Sequence, residues 1–264
     1  MAVVEYDGTA YYGFQVQVDG PTIQAALEQA LTAVTQAETR VVAAGRTDTG
    51  VHALGQVIHF DTEWPPLVAQ DLNNAAVPMN ARPHPVKVLQ RALNAVLPRD
   101  IVIRDLQVAP EGFHARFDAR SRVYRYTILN RAIRAPLWER YSWHVPEPLD
   151  VQQMAVAAQT LIGTHDFAAF GRPMRAGATT VRTVSRLDCR QAGELITIEI
   201  EADAFLRRMV RRIVAGLVEV GLGKLAPEAL ADILASKNPQ RIKTLARPCG
   251  LCLLQVNYSW SGSN

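Results

Sequence analysis

"VVAAGRTDTGVHALGQVIHF", Val41 to Phe60, sets two apolar runs around the polar loop Arg46-Thr47-Asp48-Thr49, with Gly45 and Gly50 at its ends. Val41–Ala44 and Gln56–Phe60 read as strands flanking that loop. Two consecutive strands are the centre of a split βαβ unit, and the flanking sequence supplies the rest of one. Upstream, Ala2–Tyr6 is a β-branched run ended by Asp7-Gly8, a strand and a turn. "GPTIQAALEQALTAVTQ" then places Ile23, Ala26, Leu27, Ala30, Leu31 and Val34 at helical spacing behind a Pro21-Thr22 start signal. Downstream, "VKVLQRALNAVL" is helical and "DIVIRDLQVA" a strand. The order is β, α, β, β, α, β.

The same order returns after residue 110. "RVYRYTIL" alternates as a strand, "VQQMAVAAQTLIG" is helical, and "VSRLDCRQAGELITIEIEA" is a hairpin turning near Gly193. "FLRRMVRRIVAGLVEVG" is a long helix and "GLCLLQVNYSW" a closing strand. The expectation is an α+β protein built from a duplicated split βαβ unit, one half over 1–108 and the other over 109–264. A proline-rich stretch between Glu63 and Pro85 reads as an extended insertion.

Composition narrows the class. The 264 residues are 48% hydrophobic and 20% charged, an ordinary globular balance. No basic-then-apolar leader opens the chain and no run of ~18 apolar residues occurs, so a cytoplasmic location without membrane attachment is expected. Three cysteines, Cys189, Cys249 and Cys252, do not form a disulfide framework. The net charge of +3 is small, but its distribution is uneven. Seven arginines against two acids fall between His114 and Tyr141, and Arg207, Arg208, Arg211 and Arg212 stand together without an acid. Clustered arginine on a balanced chain points to a polyanion.

Four groups of residues are candidates for chemistry. The Asp48 carboxylate sits beside Arg46 in a loop whose terminal glycines allow a ligand close to the backbone or a left-handed turn. Arg46 is suited to hold Asp48 ionised as a nucleophile or base, but a turn aspartate in a surface ion pair would read the same way. In the long helix, Leu206, Met209, Val210, Ile213, Val214 and Leu217 share one face, which turns all four arginines to the other. A solvated face would read the same way, but four arginines without an acid repel one another unless an anion is near, which favours RNA or DNA backbone. Phe113, Phe117, Tyr124 and Tyr126 alternate with His114, Arg116, Arg122 and Arg125, a pattern that suits stacking on unpaired bases or half-buried core tyrosines alike. Cys249 and Cys252 form C-x-x-C without a second ligand pair and before a strand, so they read as structural thiols. No phosphate-loop, dinucleotide or zinc-protease spacing occurs, leaving metal and nucleotide cofactors without motif support.

Taken in order, "YDGTAYYGFQ", "GRTDTGVHA", "FHARFDA", "YRY", "FLRRMVRRIVAG" and "GLCL" resemble the tRNA pseudouridine synthase A family, over essentially the whole chain. The resemblance implies two ferredoxin-like halves with a basic cleft. It also implies a cofactor-free homodimeric enzyme that isomerises uridine at positions 38, 39 and 40 of the tRNA anticodon stem-loop. It puts the catalytic carboxylate on Asp48 and its partner on Arg46. The active-site aromatic falls on Tyr124, a basic residue that holds the carboxylate on Arg211, and an apolar wall on Leu251. Arg116, Arg122, Arg207, Arg208 and Arg212 remain the candidate RNA-backbone contacts. Thr49 stands where relatives often carry alanine, and the Glu63–Pro85 insertion is longer than the family pattern.

The reaction breaks the bond from C1′ to N1 and remakes it from C1′ to C5, with no net redox change. A single ionised carboxylate suffices in principle. Attack on C1′, addition to the base and removal of a ribose proton are all open to it. Tyr124 is a candidate to help take the C5 proton. Flipping the target base out of its stack costs a few kcal/mol and calls for aromatic and cationic contacts in return. The competing class is a non-catalytic RNA-binding module, which gains nothing from a carboxylate facing phosphates. A nucleoside hydrolase is a weaker rival, since it needs several carboxylates or a metal.

Overall fold

The computed structural model describes residues 1–63, 84–175 and 177–259. The stretch 64–83 lies outside them, and with it most of the proline-rich insertion. The chain divides into two compact units, Met1–Asp118 and Ala119–Asn264.

In the first unit β1 (Ala2–Tyr6), α1 (Ile23–Thr35), β2 (Val42–Ala43), β3 (His52–His59), α2 (Pro85–Val96) and β4 (Ile101–Leu106) follow in sequence. The sheet runs β4-β1-β3-β2 with every pair antiparallel. Alternation in β1 sends Ala2, Val4 and Tyr6 to one face, where Val4 meets Gln56 and Ile103 in register. Leu27 and Leu31 of α1 and Leu89 and Leu93 of α2 are buried, closing the core of this unit. The Thr22 hydroxyl caps α1 by accepting from the Ala25 N–H at 3.3 Å, as the Pro-Thr signal predicts. β3 departs from expectation by starting at His52 rather than Gln56. Pairing of Ala53 with Tyr6 carries the ladder back through Gly55, so 52–55, expected to be loop, is strand, while 45–50 stays outside it.

The second unit contains β5 (Ala119–Asn130), β6 (Trp143–Val145), α3 (Val151–Gln159), β7 (Gly163–Asp166), β8 (Val181–Ala192), β9 (Leu195–Ala202), α4 (Met209–Gly221), α5 (Ala229–Ser236) and β10 (Leu251–Tyr258). Its sheet runs β10-β5-β9-β8-β7, antiparallel throughout, with the short β6 added in parallel to β5. Tyr124, Tyr126 and Ile128 stand opposite Ile200, Ile198 and Ile196, so these side chains share one face. The partner face carries Arg125, Arg186, Glu199 and Glu201 as an ion network, with Arg125 2.7 Å and Arg186 3.1 Å from Glu199. The α+β class is as expected.

The long helix is shorter than its apolar spacing predicts. Arg207 is taken up in a bridge with Arg172, and Arg208 turns left-handed at φ 65°, so α4 starts at Met209. Leu206 stays buried ahead of the helix, which is why its spacing imitates a helical face.

Candidate active site

The loop that carries Asp48 is held from beneath by main-chain and buried side-chain bonds, all within the first unit. Thr47 is buried and its hydroxyl lies 2.8 Å from the Tyr6 hydroxyl. Gln56, 0% exposed, donates from Nε2 to the Gly45 carbonyl at 2.8 Å and to the Tyr6 hydroxyl at 3.4 Å. Phe14 N–H donates to the Thr47 carbonyl, Gly50 N–H to the Tyr11 carbonyl and Val51 N–H to the Asp48 carbonyl, at 3.0, 3.3 and 3.1 Å. The residues on both sides of Asp48 are thereby tied to β1, β3 and the segment after β1.

That segment is "YDGTAYYGFQ", and its glycines are spacers for the loop. Gly13 has φ 92°, and a Cβ there would meet the Thr47 carbonyl oxygen at 2.7 Å. At Gly8 a Cβ would meet the Val51 carbonyl oxygen at 2.0 Å. The two glycines in the loop behave differently. Gly50 uses its freedom at φ 73°, whereas a Cβ on Gly45 would find nothing within 4 Å. The open side of the loop backbone is therefore at Gly45, next to Arg46. Arg46 is exposed and, among the described residues, enters no ion pair. Asp48 itself is half-buried and Thr49 exposed.

Tyr124, Arg211 and Leu251 belong to the second unit. Tyr124, 8% exposed, meets Phe205 edge-on at 5.2 Å and stands opposite Leu253 on β10. Leu251 is buried opposite Tyr126, whose hydroxyl donates to the Arg247 carbonyl at 2.6 Å. Burial is the main reason the Tyr126 phenol is pushed far above its ordinary range. Arg211, in the first turn of α4, donates from Nε to the Ala246 carbonyl at 2.7 Å, which fixes the direction of its guanidinium.

The arginines separate by burial. Arg122 is 8% exposed and its Nη1 donates to the carbonyls of Asp203 and Ala119 at 2.7 and 3.2 Å, so it ties β5 to the end of β9. Arg207 and Arg208 are exposed and Arg212 half-buried at the start of α4. Arg172, more than thirty residues upstream, joins them through its bridge to Arg207. Burial first, then the charges of Arg172 and Arg208, hold the Arg212 guanidinium below its ordinary range. Sequence spacing carries no sign of Arg172 because the bridge is a long-range pairing. Arg116, in the first unit, is exposed in the "FHARFD" turn.

The thiols are consistent with structural roles. Cys249 sits in the single turn Pro248–Gly250 with burial raising its pKa, and Cys252 lies on β10. Burial also pushes the Cys189 thiol up to about 12. Among the described residues no group of three or more His, Cys, Asp or Glu is placed to hold a metal, and no helix is long and apolar enough to cross a membrane.

Residues 2–118 and 157–259 match a family model described as tRNA pseudouridine synthase. A "tRNA pseudouridine synthase A" from Thermoanaerobacter sp. (strain X514) is 42% identical over 98% of this chain and 98% of its own. Proteins of the same name from Syntrophotalea carbinolica and Geotalea uraniireducens are each 40% identical over 97% of this chain, and over 95% and 98% of theirs.

Proposed function

The chain belongs to the tRNA pseudouridine synthase family, and from that premise we propose that it isomerises uridines 38, 39 and 40 of the tRNA anticodon stem-loop with Asp48 as the catalytic carboxylate. It is an isomerase acting on tRNA, so the reading as a non-catalytic RNA-binding module falls away. The observation that carries the assignment of Asp48 is the set of bonds around it. Gly45, Thr47, Gly50 and Val51 are all tied down, while the side on which Gly45 faces open space is left clear. A carboxylate held on so fixed a backbone is suited to a reaction in which positioning supplies much of the rate.

The chemistry balances within the substrate. C1′–N1 breaks, the uracil rotates, C1′–C5 forms, the C5 proton leaves and N1 regains one. No oxidant or outside energy enters, so the reaction calls for no cofactor. Asp48 captures or stabilises the detached ribosyl carbon, adds to the base, or removes a ribose proton; each needs the ionised carboxylate. We assign Arg46, Tyr124, Arg211 and Leu251 to substrate binding, Tyr124 with a part in removing the C5 proton. Arg116, Arg207, Arg208 and Arg212 are assigned to RNA phosphates, with Arg172 added by its bridge to Arg207. Arg122 shapes the strand beside them. The order fourth, first, third, second among the principal strands of each unit supports a ferredoxin-like reading of both halves. A cytoplasmic homodimer is the working form we infer.

Position is tested by incubating an unmodified tRNA transcript with the protein and mapping pseudouridine by carbodiimide-dependent primer extension. Stops confined to 38–40 are expected. Stops elsewhere in the tRNA, with none in the anticodon stem-loop, would overturn the assigned position.

A further inference from the structure

Of the four aromatic residues between Phe113 and Tyr126, Tyr124 and Tyr126 are core and Phe113 is half-buried, meeting His59 edge-on at 6.0 Å. Phe117 is different: it is 74% exposed. Its ring is nevertheless fixed, stacked on His114 with centroids 4.2 Å apart and planes at 28°.

His114 is held in its turn. Its Nδ1 accepts the main-chain N–H groups of Arg116 and Phe117, each at 3.2 Å, and the main-chain N–H of His114 donates to Asp118 Oδ2 at 2.7 Å. Asp118 N–H donates back to the His114 carbonyl at 3.1 Å, closing the turn. His59 on β3 meets the His114 ring edge-on at 4.9 Å, and its Nδ1 accepts the Ala115 N–H at 3.0 Å. The Arg116 guanidinium carbon lies 6.0 Å from the Phe117 centroid.

A lone surface phenylalanine needs no explanation. A ring already stacked, on a turn closed by hydrogen bonds and with a guanidinium beside it, has the makings of a platform for a planar partner attached to an anion. An unpaired nucleotide has both parts, and little entropy is left to lose on binding because the turn is set beforehand. We propose that Phe117, backed by His114 and flanked by Arg116, is a stacking platform for an unpaired base of the RNA substrate, with the adjoining phosphate against Arg116. This rests on the reading of the protein as a tRNA-modifying enzyme.

The test uses the full chain and an unmodified tRNA transcript labelled with tritium at uridine C5. Phe117→Ala is expected to raise KM roughly 5- to 150-fold, the range for one lost base–aromatic stack, with kcat changed by less than about twofold. Phe117→Leu, apolar but without a π face, is expected to leave KM raised, and Phe117→Tyr to restore it. Phe117→Trp should add a fluorescence component, absent from the native protein with its four tryptophans, that the transcript quenches. A native KM in the Ala or Leu variant would overturn the platform. So would a change in association state of the Ala variant by light scattering at unchanged KM, which would make the ring a contact between protein copies. A native protein that releases no tritium at all would overturn the functional reading, and the platform with it.

Discussion

Gln56 has an amide that is buried and only half used. Nε2 holds the Gly45 carbonyl, while Oε1 accepts no hydrogen bond among the described residues. A buried acceptor in that state costs about 1–3 kcal/mol. Gln56→Leu removes that cost together with the Gly45 tether, so we expect a melting temperature within a few degrees of native or above it. The rate of the chemical step should fall roughly a hundredfold as Asp48 loses its position. Single-turnover kinetics and thermal melts check this, and a native rate would remove the tether from the account. Gly13→Ala should act the other way. It combines a left-handed backbone with a clash against the Thr47 carbonyl, costing about 1–3 kcal/mol, read as a clear drop in melting temperature. At this scale the sequence shows Asp48 and its glycine-bounded loop plainly. It hides the roles of Tyr6, Gln56 and Gly13, because a buried polar contact over forty or fifty residues leaves no local pattern. What the motif "YDGTAYYGFQ" builds becomes visible only when its carbonyls and glycines are seen against the loop.

The start of α4 shows how an element can be displaced from its own periodicity. Leu206 keeps the apolar spacing, yet the bridge from Arg207 to Arg172 and the left-handed Arg208 hold the chain out of the helix. Arg208 has no side-chain capping bond, and a non-glycine residue in that conformation is strained. Arg208→Gly is therefore expected to melt at or slightly above the native temperature while binding tRNA more weakly. The slope of log affinity against log salt should flatten by about one contact. An unchanged slope would take Arg208 off the RNA face. Two further elements escape a reading by pattern. β6 and β7 are three and four residues long and exist through pairing with β5 and β8, the preceding and following strands. α5 was legible in principle, since Leu230, Ile233 and Leu234 repeat at helical spacing. The loop-side half of β3 was obscured by Gly55, which breaks local strand propensity but not the ladder with β1.

For the whole molecule, the repeated βαββαβ order was readable from periodicity alone, because long apolar helices and β-branched strands are decided locally. Its stability against acid depends on pairings that were not. The Asp166 carboxyl lies below the usual carboxylate range, first because the Thr180 hydroxyl donates to it and then because of the Lys237 ammonium at 3.0 Å. Glu199 is also lowered: burial opposes this, but Arg125 and Arg186 outweigh it. A carboxylate with a depressed folded pKa contributes stability that is complete above its unfolded value, near 4, and is lost as pH falls through the folded one. The melting temperature should therefore drop between about pH 5 and 3. Asp166→Asn should start lower at pH 7, by ~2–4 °C for a loss near 1 kcal/mol, and fall less steeply with acid. A parallel acid profile in the variant would show that Asp166 does not contribute.

The central claim is that Asp48 performs the isomerisation and is not merely a turn residue near bound RNA. Tritium release from tRNA labelled at uridine C5, compared between native protein and Asp48→Ala at equal RNA occupancy, tests it most directly. Release by the native protein and none above background by the variant is expected. Release by Asp48→Ala at the native rate would contradict it.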